Sequence, residues 1–216
     1  MTSPSPLVRP DAVYSGVRNA IIAGNYAPGS LITESAVAIR YGVARPTAKL
    51  ALQRLVTDGL LRRGAHQAAR VPELTRDDIR DLFDNRAMLE AAATTALAHV
   101  GAVPPAAVAA QRALRQLADD FARADIAFHR ALVAGQPSPR LAHMHSQLMG
   151  EVELCIGQVQ AHHLIDATTV ADQHQRILDA IVAGDPDAAA RLTRSHIEGA
   201  RDALLTHYDQ THGEHA

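Results

Sequence analysis

The chain has 216 residues, 47% of them hydrophobic, which is enough for one large domain or two small ones. It contains no run of eighteen apolar residues, which excludes a membrane-spanning helix. The start of the chain lacks the apolar stretch of a secretory signal, and the single cysteine, Cys155, cannot form an internal disulfide, so we expect a cytoplasmic protein. The net charge of −2 divides into +6 over residues 1–72 and −8 over the rest. This asymmetry favours a polyanion as the partner of residues 1–72; the alternative is that the charge difference between the two parts arose by chance.

The first third of the chain predicts a small DNA-binding domain. Residues 1–10 are expected to be a disordered lead-in, and a first amphipathic helix follows over 11–24. Thr33 is a good N-cap for a second helix that ends near residue 40, and Pro46 suits the first turn of a third helix. Residues 60–71 then favour a β-hairpin flap. This order is that of a winged helix-turn-helix over residues 11–72, whose third helix enters the major groove of DNA.

The rest of the chain is helical by pattern. A linker over 73–76 is expected to lead to an all-α antiparallel bundle over 77–212, followed by a short tail at 213–216. Breaks rich in Gly and Pro separate the predicted helices, which cover 75–100, 104–118, 121–135, 138–163, 167–184 and 186–210. The predicted fold class is therefore mainly α, with a small β-hairpin wing.

Asp125 and His129 lie four residues apart in the largely apolar stretch DIAFHRAL, so on a helix they share one face. His174 and His196 lie at similar heights on two helices joined by the turn GDPD, where they can converge across an antiparallel pair. Three imidazoles and one carboxylate suit Zn²⁺, Ni²⁺ or Mn²⁺. Spacing alone leaves open the alternative of four unrelated surface or core residues.

Most other histidines are interpreted as having no ligand role. Those in the polar tail and at a helix end are set aside, and His143 and His145 share a helix without i,i+4 spacing.

The stretch RYGVARPTAKLALQRLVTDGLL resembles the recognition-helix segment of GntR-family transcriptional regulators. The predicted bundle resembles the FCD ligand-binding domain of the FadR-like branch of that family. Four stretches in the right order carry the resemblance, at residues 31–61, 83–90, 125–141 and 172–196. Together they extend the match over nearly the whole chain after the first ten residues.

The resemblance implies roles for particular residues of the bundle. In the family, an Asp and a His four apart and two later histidines bind a divalent metal, and these positions match Asp125, His129, His174 and His196. Arg86 matches the arginine of the family's RxxxE stretch, which implies that a small organic acid binds the metal's open positions and pairs with its guanidinium. The alternative is an ordinary i,i+4 pair between Arg86 and Glu90.

For DNA, the resemblance implies contacts by Arg45, Thr47 and Lys49 of the recognition helix and by His66 at the wing tip. Ser35 occupies a further contact position, where the family usually has Arg. The family's usual Arg-Glu pair is Lys49-Leu50 here. Because lysine cannot read guanine with two parallel hydrogen bonds, we expect an operator that differs from the common one.

The sequence therefore predicts an effector-responsive transcriptional regulator that binds a pseudo-palindromic operator as a homodimer, with repression favoured and activation left open. We expect no catalytic residue and no membrane partner, with zinc as the first choice of metal. Two alternatives stay open at this point. One is a metal-dependent enzyme acting on small acids or esters. The other is a regulator that senses the metal itself.

Overall fold

The computed structural model describes residues 10–65, 67–116, 121–158 and 166–212. These ranges divide into two compact units, Met1–Leu74 and Thr75–Ala216. The elements in chain order are α1 (Pro10–Ile22), β1 (Leu31–Ile32), α2 (Glu34–Tyr41), α3 (Arg45–Thr57), β2 (Ala69–Arg70), α4 (Arg76–Val100), α5 (Pro105–Gln116), α6 (Phe121–Gly135), α7 (Pro139–Gln158), α8 (Ala167–Val182) and α9 (Pro186–His212). The predicted class, mainly helical with a winged domain before a helical bundle, is confirmed.

Three helices form the core of the first unit. The oxygen of the Thr33 side chain accepts the backbone N–H of Ala36 and so caps α2, as its position predicts. The helix ends at Gly42, whose φ of 63° is the left-handed conformation that glycine adopts without a Cβ clash. The predicted inner face of α3 is buried, and it consists of Ala48, Ala51, Leu52 and Leu55.

The wing is built differently from the predicted hairpin. Arg62 and Arg70 do bridge each other across the turn, as a hairpin over 60–71 requires. The two strands of the sheet, however, are β1 and β2, paired antiparallel with Leu31 opposite Arg70 and Ile32 opposite Ala69. Two residues are too short to show an alternating pattern, so β1 is recognisable only from its tertiary partner.

The second unit is a bundle in which α4 packs along α9 and also contacts α6, α7 and α8. A reciprocal capping box starts α4, because the Thr75 and Asp78 side chains each bond to the other's backbone N–H. Part of the core lies between α4, α5, α6, α8 and α9 and contains Leu97, Phe128, Leu132, Ile177 and Ile181. Among the described residues no single helix is long and apolar enough to span a membrane, and α4 with Pro105–Arg115 passes that test only as a pair bent by 116°.

Helix boundaries in the bundle follow the predicted breaks closely. α6 covers the predicted residues 121–135, and α8 and α9 start where the sequence places them. Residues 159–163, the predicted end of α7, lie outside the described residues. The tight turn after α8 uses Gly184 at a φ of 69°, and it sets α8 and α9 side by side for the site described next.

Candidate functional site

The recognition helix α3 presents a polar face to solvent. Arg45 and Lys49 are exposed and lie one turn apart, and Thr47 is half-buried between them. Ser35 is exposed near the start of α2. Arg45 occupies the first turn of α3, where backbone N–H groups favour anions such as phosphate. His66, the fifth predicted contact residue, lies outside the described residues.

The wing is fixed to α2 by an ion pair. Arg63 donates from Nη2 to Glu34 at 2.9 Å and from Nε to the carbonyl of Gln67 at 2.9 Å. The hydrogen bond from Arg63 is the main reason that the pKa of Glu34 is lowered. Arg62, Arg63 and Arg70 line an open groove beside Leu31. A groove lined by three arginines is suited to contact with a phosphate backbone.

The structure brings together the four residues that the sequence predicts as metal ligands, Asp125, His129, His174 and His196, called the His3Asp cluster below. One ligand atom from each lies within 4.8 Å of the other three. Nε2 of His196 is 3.1 Å from Nε2 of His129 and 3.3 Å from Nε2 of His174. Oδ1 of Asp125 is 3.5 Å from Nε2 of His129 and 3.3 Å from Nε2 of His174. The cluster therefore joins α6, α8 and α9 around one point.

The spacing of these atoms suits a bound cation. Ligands at about 2.1 Å from a zinc ion stand about 3.4 Å apart in a tetrahedron and about 3.0 Å apart at right angles. The separations of 3.1 to 3.5 Å lie close to these values, and all four ligand atoms lie within 4.8 Å of one another. The three histidines are buried, and the side chain of Asp125 is 14% exposed. The cluster could thus hold a divalent metal.

Hydrogen bonds on the outer side of two imidazoles support the same conclusion. Nδ1 of His129 lies 2.5 Å from Oε2 of Glu90, and Nδ1 of His196 lies 2.7 Å from Oε1 of Gln173. Because both oxygens accept, both Nδ1 atoms carry the proton and both Nε2 atoms face the centre of the cluster. Two inward lone pairs need either a proton or a metal ion between them.

His174 is held differently from the other two histidines. Its ring stacks on Phe128 with centroids 3.8 Å apart and planes 10° from parallel. Its Nδ1 is buried and has no hydrogen-bond partner among the residues that the structure describes, while its Nε2 faces the cluster. An apolar wall therefore orients this ligand.

Glu90 links the cluster to two further polar side chains. Its Oε1 accepts from Nε of Arg86 at 2.8 Å and lies 3.0 Å from Nε2 of His145. All three side chains are almost fully buried. The i,i+4 pair between Arg86 and Glu90 thus exists, but Nη2 of Arg86 is buried and has no hydrogen-bond partner among the described residues. Such a guanidinium nitrogen could donate to an acceptor such as a carboxylate.

Charges in the cluster are strongly coupled. Burial lowers the pKa of His129, but the carboxylates of Glu90 and Asp125 outweigh burial and raise that pKa above its usual value. Burial lowers the pKa of His174, and it lowers the pKa of His196 further, with the neighbouring histidines adding to the effect. Burial opposes ionisation of Asp125 and Glu90, yet the adjacent histidines, and Arg86 beside Glu90, hold both pKa values well below the usual range.

Sequence reasoning missed Glu90 as a partner of the cluster, set His145 aside and did not consider Gln173. His145 was set aside because it has no i,i+4 histidine partner, but its contact is across helices, from α7 to α4. The only signal available was the position of Glu90 on the same face of α4 as Arg86.

Comparison with known proteins identifies both units. Residues 10–71 match the gntR family of bacterial regulatory proteins, and residues 81–199 match the FCD domain. The chain belongs to the GntR family of transcriptional regulators and carries an FCD domain. The expectation of a DNA-binding regulator rather than an enzyme is thereby confirmed.

Two relatives of this GntR-family chain are named as repressors. The transcriptional repressor GlaR of Escherichia coli K12 is 27% identical over 206 residues, which is 85% of this chain and 90% of GlaR. A probable D-xylose utilization operon repressor of Paenarthrobacter nicotinovorans is 26% identical and covers 86% of this chain and 85% of its own length.

Solved structures share the fold. A GntR regulator from Rhodococcus sp. RHA1 superposes with a TM-score of 0.75 at 24% identity, covering 91% of this chain and 97% of that chain. E. coli McbR/YncC superposes with a TM-score of 0.72 at 20% identity, covering 96% and 100%. At these identities the likeness concerns the fold alone.

Proposed function

We propose that this chain is a cytoplasmic repressor that binds a pseudo-palindromic operator as a homodimer and releases it in response to a small organic acid. The acid would bind at a metal held by the His3Asp cluster. The observation that carries the effector part is the buried Nη2 of Arg86, which has no hydrogen-bond partner in the described part of the chain, while Nε of the same side chain is held by Glu90. Naming of two relatives as repressors favours repression over activation.

Recognition of DNA would rest on Ser35, Arg45, Thr47 and Lys49, with His66 at the wing tip. The exposed face of α3 supports this assignment for Arg45 and Lys49. Arg45 suits a bidentate contact with guanine, whereas Lys49 is a single point charge suited to phosphate or to one base acceptor.

Zinc is the metal that the ligand set favours, since three imidazoles and one carboxylate are ligands of intermediate softness. Nickel and manganese are the next candidates. When bound, the metal would supply a Lewis acid for a carboxylate oxygen of the effector. Arg86 would hold the effector's second oxygen or a second carboxylate, and the burial of Arg86 restricts the ligand to a small molecule.

Regulation requires that the acid bind one arrangement of the bundle better than another. An acid bound both to Arg86 and to the metal would connect α4, which carries Arg86, with α6, α8 and α9, which carry the His3Asp cluster. A direct metal sensor is the competing function. The near-complete burial of all three histidines favours a long-lived metal over one that exchanges with the cell, and so favours the organic acid as signal.

A thermal-shift screen of small carboxylates, with and without chelator, tests the proposal. We expect at least one acid to raise the melting temperature of the metal-loaded protein and to leave the chelated protein unchanged. The same acid should release a labelled operator fragment in a titration. Arg86→Lys should weaken the acid effect, because lysine cannot form the paired hydrogen bonds, whereas the exposed control Arg115→Lys should not. Release of DNA by metal alone would favour the metal sensor.

A further inference from the structure

Two of the three histidines in the His3Asp cluster have their outer nitrogen fixed by a side chain from another helix. Glu90 of α4 holds His129 of α6, and Gln173 of α8 holds His196 of α9. We propose that Glu90 and Gln173 are positioning residues for the metal, which keep both imidazoles in the tautomer and orientation that binds it. This inference rests on the proposed metal site, but it does not depend on any organic effector.

The contact of Glu90 is the stronger of the two. Its carboxylate is almost fully buried, and Oε2 lies 2.5 Å from Nδ1 of His129. An ionised carboxylate only accepts hydrogen bonds, so it holds the proton on Nδ1 and leaves the lone pair of Nε2 for the metal. A carboxylate behind an imidazole also makes the ligand nitrogen more basic.

Glu90 cannot swing away from His129 easily, because its other oxygen is also held. Oε1 accepts from Arg86 at 2.8 Å and lies 3.0 Å from Nε2 of His145. One carboxylate therefore ties together α4, α6 and α7. The hydrogen bond from Arg86 to Glu90 also fixes the direction in which Nη2 of Arg86 points. Glu90 therefore positions both a proposed metal ligand, His129, and the arginine proposed to bind the effector.

Gln173 holds the outer nitrogen of His196 as Glu90 holds that of His129, but with a neutral amide in place of a carboxylate. Its Oε1 lies 2.7 Å from Nδ1 of His196, and its side chain is only half-buried. His174 provides the contrast within the cluster, because its Nδ1 has no hydrogen-bond partner in the described ranges and its ring stacks on Phe128. The site thus holds its ligands by one charged, one neutral and one apolar contact.

The test measures metal binding alone, on full-length protein stripped of metal and without any organic acid. Affinity for Zn²⁺ is determined by competition with a chromophoric chelator for wild type, Glu90→Gln and Gln173→Met. Loss of an outer hydrogen bond of this kind costs roughly 10- to 100-fold in metal affinity, and we expect losses in that range for both variants. Glu153→Gln is the matched control, because Glu153 is a buried carboxylate of α7 that pairs with Arg130 at 2.9 Å.

A spectroscopic readout separates positioning from general loosening. In the Zn²⁺-loaded wild type, the Nδ1–H protons of His129 and His196 should give slowly exchanging NMR signals, and each variant should lose or shift the signal of its own histidine only. The visible bands of the Co²⁺-loaded protein should change in Glu90→Gln and Gln173→Met and stay unchanged in Glu153→Gln.

The outcomes are distinct. If Glu90→Gln unfolds, Gln173→Met carries the test, since its half-buried side chain can be replaced with little loss of core packing. Zn²⁺ affinities within about two-fold of wild type in the folded variants, or a loss no larger than in Glu153→Gln, would overturn the positioning role alone. A wild-type protein that takes up no metal would overturn this inference together with the proposed metal site.

Discussion

Nε2 of His129 lies 3.1 Å from Nε2 of His196, and the outer nitrogen of each ring faces an acceptor. Without metal, one proton shared across this gap satisfies both rings, and His129 is the ring that carries it because its pKa is raised. With metal, that proton has to leave. The cluster is therefore arranged to exchange a proton for a cation.

Metal binding should release about one proton per site near pH 6.5, the usual pKa of a histidine. Of the three histidines only His129 has a raised pKa and so keeps its proton there, whereas the lowered pKa values of His174 and His196 favour their neutral forms. Titration calorimetry with Zn²⁺ in buffers of different ionisation enthalpy counts the protons. Zn²⁺ affinity should fall about tenfold for each pH unit below the pKa of His129 in the folded protein. An apparent enthalpy that does not depend on the buffer would contradict this assignment.

The metal-free protein should be most stable near pH 6.5 as far as these histidines are concerned. His174 and His196 have lowered pKa values, so the unfolded chain binds more protons below pH 6.5 and stability falls as the pH drops through their folded values. His129 has a raised pKa, so its contribution is complete below pH 6.5 and is lost as the pH rises through its folded value.

Melting curves of chelator-treated protein between pH 5 and 8, followed by circular dichroism, measure this profile. His196→Gln removes one neutral histidine and should flatten the acid side of the profile relative to wild type. An unchanged acid side would show that folding does not lower the pKa of His196.

Much of the architecture is readable from local patterns, and the limits of that reading are physical. Pro139, Pro186 and Gly184 stand at helix breaks whatever the tertiary structure, so the boundaries of α6, α8 and α9 follow from the sequence. The convergence of His174 and His196 follows from their similar distances to a single tight turn.

Contacts between helices that are distant in sequence are less predictable. Glu90 reaches His129 and His145 across 39 and 55 residues, and only the rotation of α4 against α6 and α7 decides whether they meet. Strand β1 is likewise defined by its partner β2 and not by its own two residues. A single sequence contains no direct signal for such pairings.

The Thr75 cap should contribute measurably to the stability of the bundle. Thr75→Ala removes the side-chain acceptor of the Asp78 N–H and half of the capping box, and we expect a loss of about 1 kcal/mol in the free energy of unfolding. Thr206→Ala is a suitable control, because Thr206 is exposed within α9 and donates to the carbonyl of Asp202 in its own helix. Denaturant unfolding of both variants compares them. Equal losses would mean that the cap adds nothing beyond the removal of a threonine.

Lys49 should become inaccessible to amine reagents when the operator binds. It is the only lysine of the chain and is exposed on α3, so mass spectrometry after brief acetylation reports on this one side chain. If its ammonium group contacts a phosphate or a base edge, operator DNA slows its modification several-fold, and raising the salt concentration restores the rate as the complex dissociates. The amino group at the start of the chain serves as internal control, and mixed-sequence DNA separates general from operator-specific protection. If Lys49 is modified at the same rate in the intact operator complex, the face of α3 that carries Lys49 points away from DNA. Arg45 lies one turn earlier on the same face, so its proposed contact with DNA would be contradicted as well.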